Sequence, residues 1–361
     1  MSRERPKATT LRQANACEYL GSPLYAALLR RVARETDEGG PCADALAAHA
    51  DAPDGDAVPL RLLGGVHALV LSGRAPDLAA HYPSVGGVFD PDRPDAAWPA
   101  FRDAVAGHPE WIRDWLCRPP QTNEVGRASL LLTGLLWAVR ESPLPVRLFA
   151  VGAGAGLNLR PDLFRYTSGE WAWGPADSPV TLADAWEGPV PSWLREPATL
   201  NVVHRGGCDL APVDPATDAG ALALRAYVWP DQAERAARLD GAIALARREP
   251  ADVETLGAAD HLAGVRLETG TLTVVWHSVM RQYVPGEEWT RVHAELDRLA
   301  GEATGDAAFA HLTFEPEEDG AFFLTRRHGR GPAERTIRAR PHGLPARQVD
   351  TALAPHGKED G

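Results

Sequence analysis

Cysteine is scarce in this chain of 361 residues, which has four in total. They stand at Cys17, Cys42, Cys117 and Cys208, and no two have the two-residue separation typical of zinc ribbons or thioredoxin-type redox sites. A chain of this length has little need of disulfides to stabilise its core. We therefore expect four reduced thiols. No H-E-x-x-H or other tight ligand set occurs, so no metal site is predicted.

Long apolar segments and a surplus of positive charge are also missing. The longest apolar stretch, residues 130–139, is too short to span a bilayer and is interrupted by Thr133 and Gly134. The first ten residues lack the apolar segment of a signal peptide. The net charge of -12 is unsuited to a phosphate backbone. These absences predict a cytoplasmic protein that binds neither membranes nor nucleic acids.

What the chain does contain changes in character near residue 120. Before it, helical patterns dominate: Ser22 and Pro23 suit a helix start, and apolar residues then recur at helical spacing as far as Gly39. Residues 60–71 predict a buried helix, and residues 101–116 predict one or two more. Pro119-Pro120 is the best candidate for a linker. Residues 1–120 are therefore predicted to form an N-terminal helical region.

After the linker, apolar strands alternate with helices. The predicted helices are 125–139, 232–248 and 289–300, and the predicted strands are 146–151, 200–204, 253–256, 272–276 and 309–314. Such alternation predicts a mostly parallel sheet with right-handed crossovers. Strand-like residues 321–326 and 335–340 flank a loop at 328–332 and predict an antiparallel hairpin.

The predicted fold class is α/β. A Rossmann-like, doubly wound, mostly parallel sheet with a C-terminal antiparallel hairpin occupies residues 121–345, and residues 346–361 form a disordered tail. A parallel sheet closed by a late antiparallel hairpin resembles the class I methyltransferases.

A glycine-rich turn directly follows the most apolar strand. Gly152, Gly154 and Gly156 alternate with alanines, and Asn158 closes the segment. Ligands of doubly wound sheets bind beyond the carboxyl ends of the strands, where glycines let the backbone approach them closely. A branched side chain at Gly154 is accordingly expected to block a ligand with little loss of fold. The alternative is that these small residues only allow close packing of strand and helix.

The type of turn favours one cofactor. The dinucleotide fingerprint G-x-G-x-x-G is not met, because Leu157 occupies the place of its last glycine. We therefore expect S-adenosylmethionine rather than a nicotinamide or flavin dinucleotide. Class I methyltransferases usually carry Asp or Glu two residues before the first glycine, where it helps to hold the methionine portion. Here that position is Ala150.

Several motifs together resemble an uncharacterised family, domain of unknown function 2332. They are T-N-E-V-G-R at 122–127, the turn at 151–159, R-G-G-C-D at 205–209 with P-V-D at 212–214, Y-V-W-P-D at 227–231, and V-V-W-H-S-V-M at 274–280 with Gln282 and Tyr283. Members of the family usually have Glu at the position of Ala150. The resemblance implies a methyltransferase-like fold and no established reaction.

Polar residues near the ends of the predicted strands are the candidates for cofactor binding. Asn123, Glu124 and Arg127 open the helix before the first strand, either facing the ligand or forming a capping cluster. Asp209 follows the second strand, where this fold places the acid that binds the ribose hydroxyls. Its alternative role is that of a turn residue. Asp260 stands where the fold usually places a contact to adenine.

The candidates for catalysis lie at the end of strand 272–276. His277 is the predicted general base, because the unperturbed pKa of a histidine side chain lies near neutrality. Its alternative role is to cap the strand end by bonding to the backbone. Ser278 and Tyr283, with Gln282, are predicted to line the same pocket. A serine hydrolase is excluded because no G-x-S-x-G motif occurs.

These residues together predict a methyltransferase-like enzyme that uses S-adenosylmethionine and a small-molecule acceptor. Two alternatives stay open. One is a non-catalytic or regulatory nucleoside-binding protein, which the missing acid at Ala150 favours. The other is a different nucleotide-dependent enzyme on the same fold.

Overall fold

The computed structural model describes residues 4–120, 123–196 and 198–349. The chain forms two compact units. The helical unit comprises Met1–Thr122 and Val213–Leu239, and the sheet unit comprises Asn123–Pro212 and Asp240–Gly361. This division differs from the single boundary expected near residue 120, because the segment Val213–Leu239 returns to the helices.

Helices make up nearly all of the regular structure in the helical unit and flank the strands of the sheet unit. The α-helices are α1 Glu4–Tyr19, α2 Pro23–Glu38, α3 Pro41–Ala47, α4 Val58–Leu71, α5 Pro76–Ala79, α6 Trp98–Gly107, α7 Pro109–Leu116, α8 Ala128–Glu141, α9 Ser192–Arg195, α10 Asp218–Ala226, α11 Ala233–Arg248, α12 Ala258–Gly264 and α13 Gly286–Glu302.

Every strand among the described residues lies in the sheet unit. They are β1 Val146–Val151, β2 Arg165–Ser168, β3 Trp171–Trp173, β4 Thr181–Leu182, β5 Val202–Asp209, β6 Asp252–Thr255, β7 Thr271–Ser278, β8 Ala307–Pro316, β9 Phe322–His328, β10 Glu334–Ala339 and β11 Ala346–Gln348. The expected strands and hairpin are present, whereas the small sheet β3-β2-β4 was not predicted.

The helical unit is built around α4, which is buried on nearly every side, as its continuous apolar sequence predicts. The returning segment packs here because α4 carries Gly64, where a side chain would collide with the ring of Tyr227. A second link is Asp231, whose carboxylate accepts hydrogen bonds from Ser22 Oγ at 2.6 Å and from the Leu24 amide at 3.3 Å. Ser22 precedes α2 as expected, but the partner of its side chain is Asp231.

The main sheet of the sheet unit has the strand order β11-β10-β9-β8-β7-β1-β5-β6. Strands β6, β5, β1, β7 and β8 run parallel to one another, and β9, β10 and β11 continue the sheet with antiparallel pairing. From β1 the chain builds outward to β5 and β6, then returns to place β7 on the other side of β1. The order of the parallel strands therefore reverses between β1 and β7.

Helices cover both faces of the parallel strands. On one face, α12 and α13 bury Phe149, Val275 and Phe309 in a shared apolar core. On the other face, α8 lies against β8, where Gly134 allows a close approach: a β-carbon there would come within 2.7 Å of Leu312. The apolar runs of the strands thus reflect burial on two sides.

Strand β5 is longer than the expected strand at 200–204 and extends to Asp209. The additional residues include the pair Gly206-Gly207, which follows the expected strand. In the structure, a β-carbon at Gly207 would lie 2.2 Å from the carbonyl oxygen of Ala150 on the adjacent strand. The glycine therefore permits close pairing of β5 with β1. Asp209 is the last residue of the strand.

The C-terminal segment differs from the expected tail. Residues 346–348 form β11, which pairs with β10, and the backbone of Ala346 also bonds to Ala185 and Glu187. The rest of the expected tail, from residue 350 onward, lies outside the described residues. Within residues 4–120, 123–196 and 198–349, no helix combines the length and the apolar character needed to cross a membrane. All four cysteines are free thiols, as expected.

Candidate functional site

Two turns meet at the carboxyl edge of the sheet, where the strand order reverses. The turn after β1 begins at Gly152, and the turn after β7 contains Val279 and Met280. They touch: a β-carbon on Gly152 would come within 3.1 Å of Cβ of Met280. In sheets of this kind a crevice at the reversal point is the usual ligand position.

All three glycines of the first turn adopt a left-handed conformation. The φ angles are 67° at Gly152, 58° at Gly154 and 65° at Gly156. Residues with a side chain are disfavoured in this region, so the backbone itself requires glycine. The alternation of glycine in the sequence therefore has a direct conformational cause.

The three glycines face different surroundings. A β-carbon at Gly154 would lie 2.1 Å from Nδ2 of Asn123, and one at Gly156 would lie 2.8 Å from Val253. Gly152 is exposed, whereas Gly154 and Gly156 are buried. Only Gly152 therefore presents bare backbone outward. A larger residue at Gly154 would be strained at this φ angle and would have to displace the amide end of Asn123, so we expect it to cost stability rather than to spare the fold.

Side chains from two other segments hold the first turn. The Ala155 amide donates to Oδ1 of Asn123 at 3.2 Å, and the Gly154 amide donates to Oδ2 of Asp209 at 2.9 Å. Asn158 donates from Nδ2 to the carbonyl oxygen of Glu124 at 3.0 Å. The structure thus brings these predicted site residues together, and it shows them shaping the turn.

Asp209 keeps capacity for a ligand. Its Oδ1 accepts the Ala211 amide at 2.9 Å, and its Oδ2 accepts the Gly154 amide at the same distance. A carboxylate oxygen has two lone pairs, so each oxygen can accept a further hydrogen bond. Asp209 is therefore both the turn residue and an acceptor at the edge of the sheet.

The other residues of segment 123–127 have separate tasks. Glu124 is 5% exposed, and its carboxylate caps the short 3-10 turn Val125–Arg127 by accepting the Gly126 amide at 3.0 Å. Arg127 donates from Nε to the carbonyl oxygen of Pro341 at 3.1 Å. Glu124 thus caps this short turn, and this bond of Arg127 leads to the segment after β10.

Asp260 occupies the first turn of α12 and forms an ion pair with Arg291 of α13. More than half of each side chain is exposed. Its contact is thus a surface ion pair, and its predicted role toward adenine stays a prediction.

His277 lies beneath α13 and is 3% exposed. Nδ1 of its ring is 2.7 Å from Oε1 of Glu315 on β8, and the ring of Trp289 meets it edge-on with centroids 5.3 Å apart. The sequence had suggested either an open cleft or a bond to the backbone. The partner is instead a carboxylate, and the ring is enclosed.

The remaining catalytic candidates follow β7. Ser278 is half-buried at the strand end, and Tyr283 is 65% exposed in the short turn Arg281–Tyr283. Their roles stay predictions. Among the residues that the structure describes, no three His, Cys, Asp or Glu side chains are grouped so that they could hold a metal ion.

Comparison with known families gives one match. The sequence model of domain of unknown function 2332, described as an uncharacterised protein conserved in bacteria, matches residues 7–358. The chain belongs to this family. No curated protein and no solved structure matches it.

One residue that shapes the turn in this family member went unnoticed in the sequence. Arg160 is 2% exposed and donates from Nη1 to the carbonyl oxygen of Gly156 at 2.8 Å, with Nε directed to the Glu249 carbonyl. Burial lowers the pKa of its guanidinium to about 10, and the charge of Arg205 contributes. An arginine two residues after Asn158 looks like a surface residue, so the sequence carried no sign of this role.

A second unnoticed residue is Glu315, near the end of β8. Its Oε1 contacts His277 and also accepts the Met280 amide at 3.1 Å. The alternating pattern of β8 gave no signal, because an acid near a strand end commonly faces water.

Proposed function

We propose that this protein binds S-adenosylmethionine at the carboxyl edge of a Rossmann-like, doubly wound sheet and transfers its methyl group to a small-molecule acceptor. The observation that carries the proposal is the first turn: exposed Gly152 stands at the reversal of strand order, and Asp209 is bonded to the same turn. Nucleoside cofactors bind in this position in open α/β sheets.

The fold supports this proposal through its topology. The parallel strands run in the order β6-β5-β1-β7-β8, with the reversal beside β1. Helices α12 and α13 cover one face and α8 the other. These are features of doubly wound sheets, which bind ligands at the reversal point.

The residues at the edge fit a nucleoside. Gly152 has no side chain to block the approach of a ligand. Asp209 ends β5, and each of its carboxylate oxygens, which accepts one amide among the described residues, can accept a ribose hydroxyl as well. When bound, S-adenosylmethionine would supply an electrophilic methyl group and leave as S-adenosylhomocysteine. The chain's own part is to bind the nucleoside and orient it beside the turn after β7.

Two observations favour a second candidate, nucleoside binding without turnover. Ala150 replaces the acid that methyltransferases usually carry, and it lies 6% exposed between Gly207 and Trp276 of the neighbouring strands. His277 is enclosed beneath Trp289. A protein of this second kind would bind both S-adenosylmethionine and S-adenosylhomocysteine and release no product with any acceptor.

Titration calorimetry against S-adenosylmethionine, S-adenosylhomocysteine, NAD and ATP tests the proposal. We expect binding of the first two and weaker binding of the others. Asp209→Asn should lower the affinity about 10-fold or more, since a charged acceptor contributes about 1.5–3 kcal/mol. Release of S-adenosylhomocysteine on an acceptor panel then separates the enzyme from the binding protein.

The matched control is Asp306→Asn. Asp306 accepts a hydrogen bond from Thr304 Oγ1 at 2.7 Å in the loop before β8, at the opposite edge of the same sheet. The Asp306→Asn substitution makes the same change of charge far from the two turns, so it should leave the affinity for S-adenosylmethionine unchanged. Equal affinities of Asp209→Asn and the wild type, with both folded, would remove Asp209 from the site. If NAD or ATP binds more tightly than S-adenosylmethionine, then S-adenosylmethionine is not the cofactor.

A further inference from the structure

A buried group of polar side chains lies under α13, next to the turn after β7. Glu315 of β8 contacts both His277 at the end of β7 and the backbone of Met280 in the turn. The rings of His311 and Trp289 complete the surroundings, with centroids 5.2 Å and 5.3 Å from that of His277. The proposed function so far assigns nothing to Glu315.

We propose that Glu315 is a positioning residue for this edge of the sheet. Its Oε1 determines which nitrogen of His277 carries the proton, and it holds the Met280 turn against Gly152. The relevance of this residue to a cofactor rests on the proposed function, whereas its two hydrogen bonds do not.

The contact between Glu315 and His277 is a hydrogen bond that the histidine ring donates. An amide N–H can only donate, so Oε1 of Glu315 accepts from Met280 at 3.1 Å. The same oxygen lies 2.7 Å from Nδ1 of His277. A carboxylate has acceptor oxygens only, so the oxygen of Glu315 accepts from the ring as well. Nδ1 of His277 therefore carries a proton.

The neutral ring of His277 has one nitrogen without a proton. When Nδ1 holds the proton, the lone pair belongs to Nε2. Nε2 of His277 is buried and has no hydrogen-bond partner among the residues that the structure describes. The nearby His311 has a pKa well below its usual value because of burial, so it adds no positive charge around neutral pH. Glu315 thus leaves Nε2 of His277 as a nitrogen with an available lone pair inside the cluster.

The turn after β7 is also held by Glu315. Val279 adopts a left-handed conformation with φ of 52°, which is unusual for a β-branched residue. Two bonds hold it there: its own amide donates to Phe314 at 2.9 Å, and the following amide of Met280 donates to Glu315. Met280 is the residue that meets Gly152. Glu315 therefore helps to determine where the two turns touch.

Nitrogen-15 NMR of histidine-labelled protein at neutral pH tests the proposal, with the His277 signals assigned by their loss in His277→Gln. In the wild type we expect the neutral ring to have its proton on Nδ1. In Glu315→Ala we expect a shift toward the Nε2-protonated form. Glu315→Gln should restore the wild-type form, because the amide oxygen of Gln still accepts from Nδ1. A wild-type ring protonated on Nε2 would overturn the proposal, whether or not the variants fold.

The matched control is Glu317→Ala, which removes a carboxylate just beyond β8 that pairs with Arg335 at 3.1 Å. Its His277 signals should match those of the wild type. A folded Glu315→Ala protein whose His277 signals also match the wild type would contradict the proposal.

A second readout connects Glu315 to the cofactor. Glu315→Ala should weaken binding of S-adenosylmethionine about fivefold, the effect of one ordinary hydrogen bond, and Glu317→Ala should not. If the wild type binds no S-adenosylmethionine, the proposed function fails while the NMR result still decides the role of Glu315. If binding is present and Glu315→Ala leaves it unchanged, the positioning role toward the cofactor is rejected.

Discussion

The turn after β1 and the turn after β7 reach the same edge of one sheet, and both need left-handed backbone. The first obtains it from Gly152, Gly154 and Gly156, with φ angles of 67°, 58° and 65°. The second has Val279 at 52° in the equivalent stretch. One turn is shaped by its composition, whereas the other is shaped by hydrogen bonds to β8.

The contrast shows two ways to maintain an unusual conformation. Glycine adopts it at no steric cost. A residue with a side chain loses about 1–2 kcal/mol, which its surroundings must offset. At Val279 the offset comes from bonds to Phe314 and, one residue on, to Glu315. The first turn is therefore sensitive to its own side chains, and the second to its partners.

The largest effect is expected for Gly154→Val. It combines left-handed strain with a collision, since the β-carbon would come 2.1 Å from Asn123. If the new side chain displaces Asn123, the hydrogen bond that Asn123 accepts from the Ala155 amide is weakened or lost. We expect the free energy of unfolding to fall by about 3 kcal/mol or more, measured by urea denaturation.

Gly270→Val is the matched control for strain alone. Gly270 has φ of 78° and open space around its β-carbon position, in the turn before β7. It should lose only about 1–2 kcal/mol. Similar losses for the two variants would mean that the contact with Asn123 does not restrict the first turn.

A smaller effect, on affinity, is expected for Ala150→Glu. It restores an acid just before the first turn, where a charge-assisted hydrogen bond to the methionine portion contributes about 1.5–3 kcal/mol. Calorimetry should show tighter binding of S-adenosylmethionine than in the wild type and in Ala150→Gln, which has the same size without the charge. Because Ala150 is buried, thermal unfolding must accompany the titration. Weaker binding by a stable Ala150→Glu protein would place the methionine portion elsewhere.

The smallest effect tests the second turn. Val279→Ala and Val279→Gly both remove the side chain, and only glycine relieves the strain. We expect the glycine variant to be more stable than the alanine variant by about 1 kcal/mol in urea denaturation. At Val275, in the middle of β7, the order should be reversed by about 0.5–1 kcal/mol. If the alanine variant is more stable than the glycine variant at both positions, Val279 is not strained.

The contrast between the two turns also explains how much of the fold and of the candidate site could be predicted from the sequence. The strands and the first turn were visible because burial and left-handed backbone leave local marks: apolar runs and alternating glycine. The candidate residues Asn123 and Asp209 also emerged, since polar residues near strand ends converge at one edge. The family resemblance was confirmed by the match over residues 7–358.

The rest depends on contacts between distant residues. Glu315 bonds to His277 across 38 positions of the chain, and Arg160 reaches the carbonyl of Glu249 across 89. Neither has a local pattern that reveals its partner. The expected strand ended at residue 204, before Gly206-Gly207, because the close approach of β1 that explains these glycines is a tertiary feature. The burial of His277 follows from the position of α13, which the strand's own sequence does not encode.

Hydrogen–deuterium exchange with and without S-adenosylmethionine is the most direct test of a cofactor at the meeting point of the two turns. Ligand binding slows exchange where it stabilises the native structure. With saturating S-adenosylmethionine, we predict slower exchange in peptides covering residues 150–158 and 279–283, and unchanged exchange in peptides from α2 and α4. Protection confined to other segments, or none at all, would contradict the proposed site.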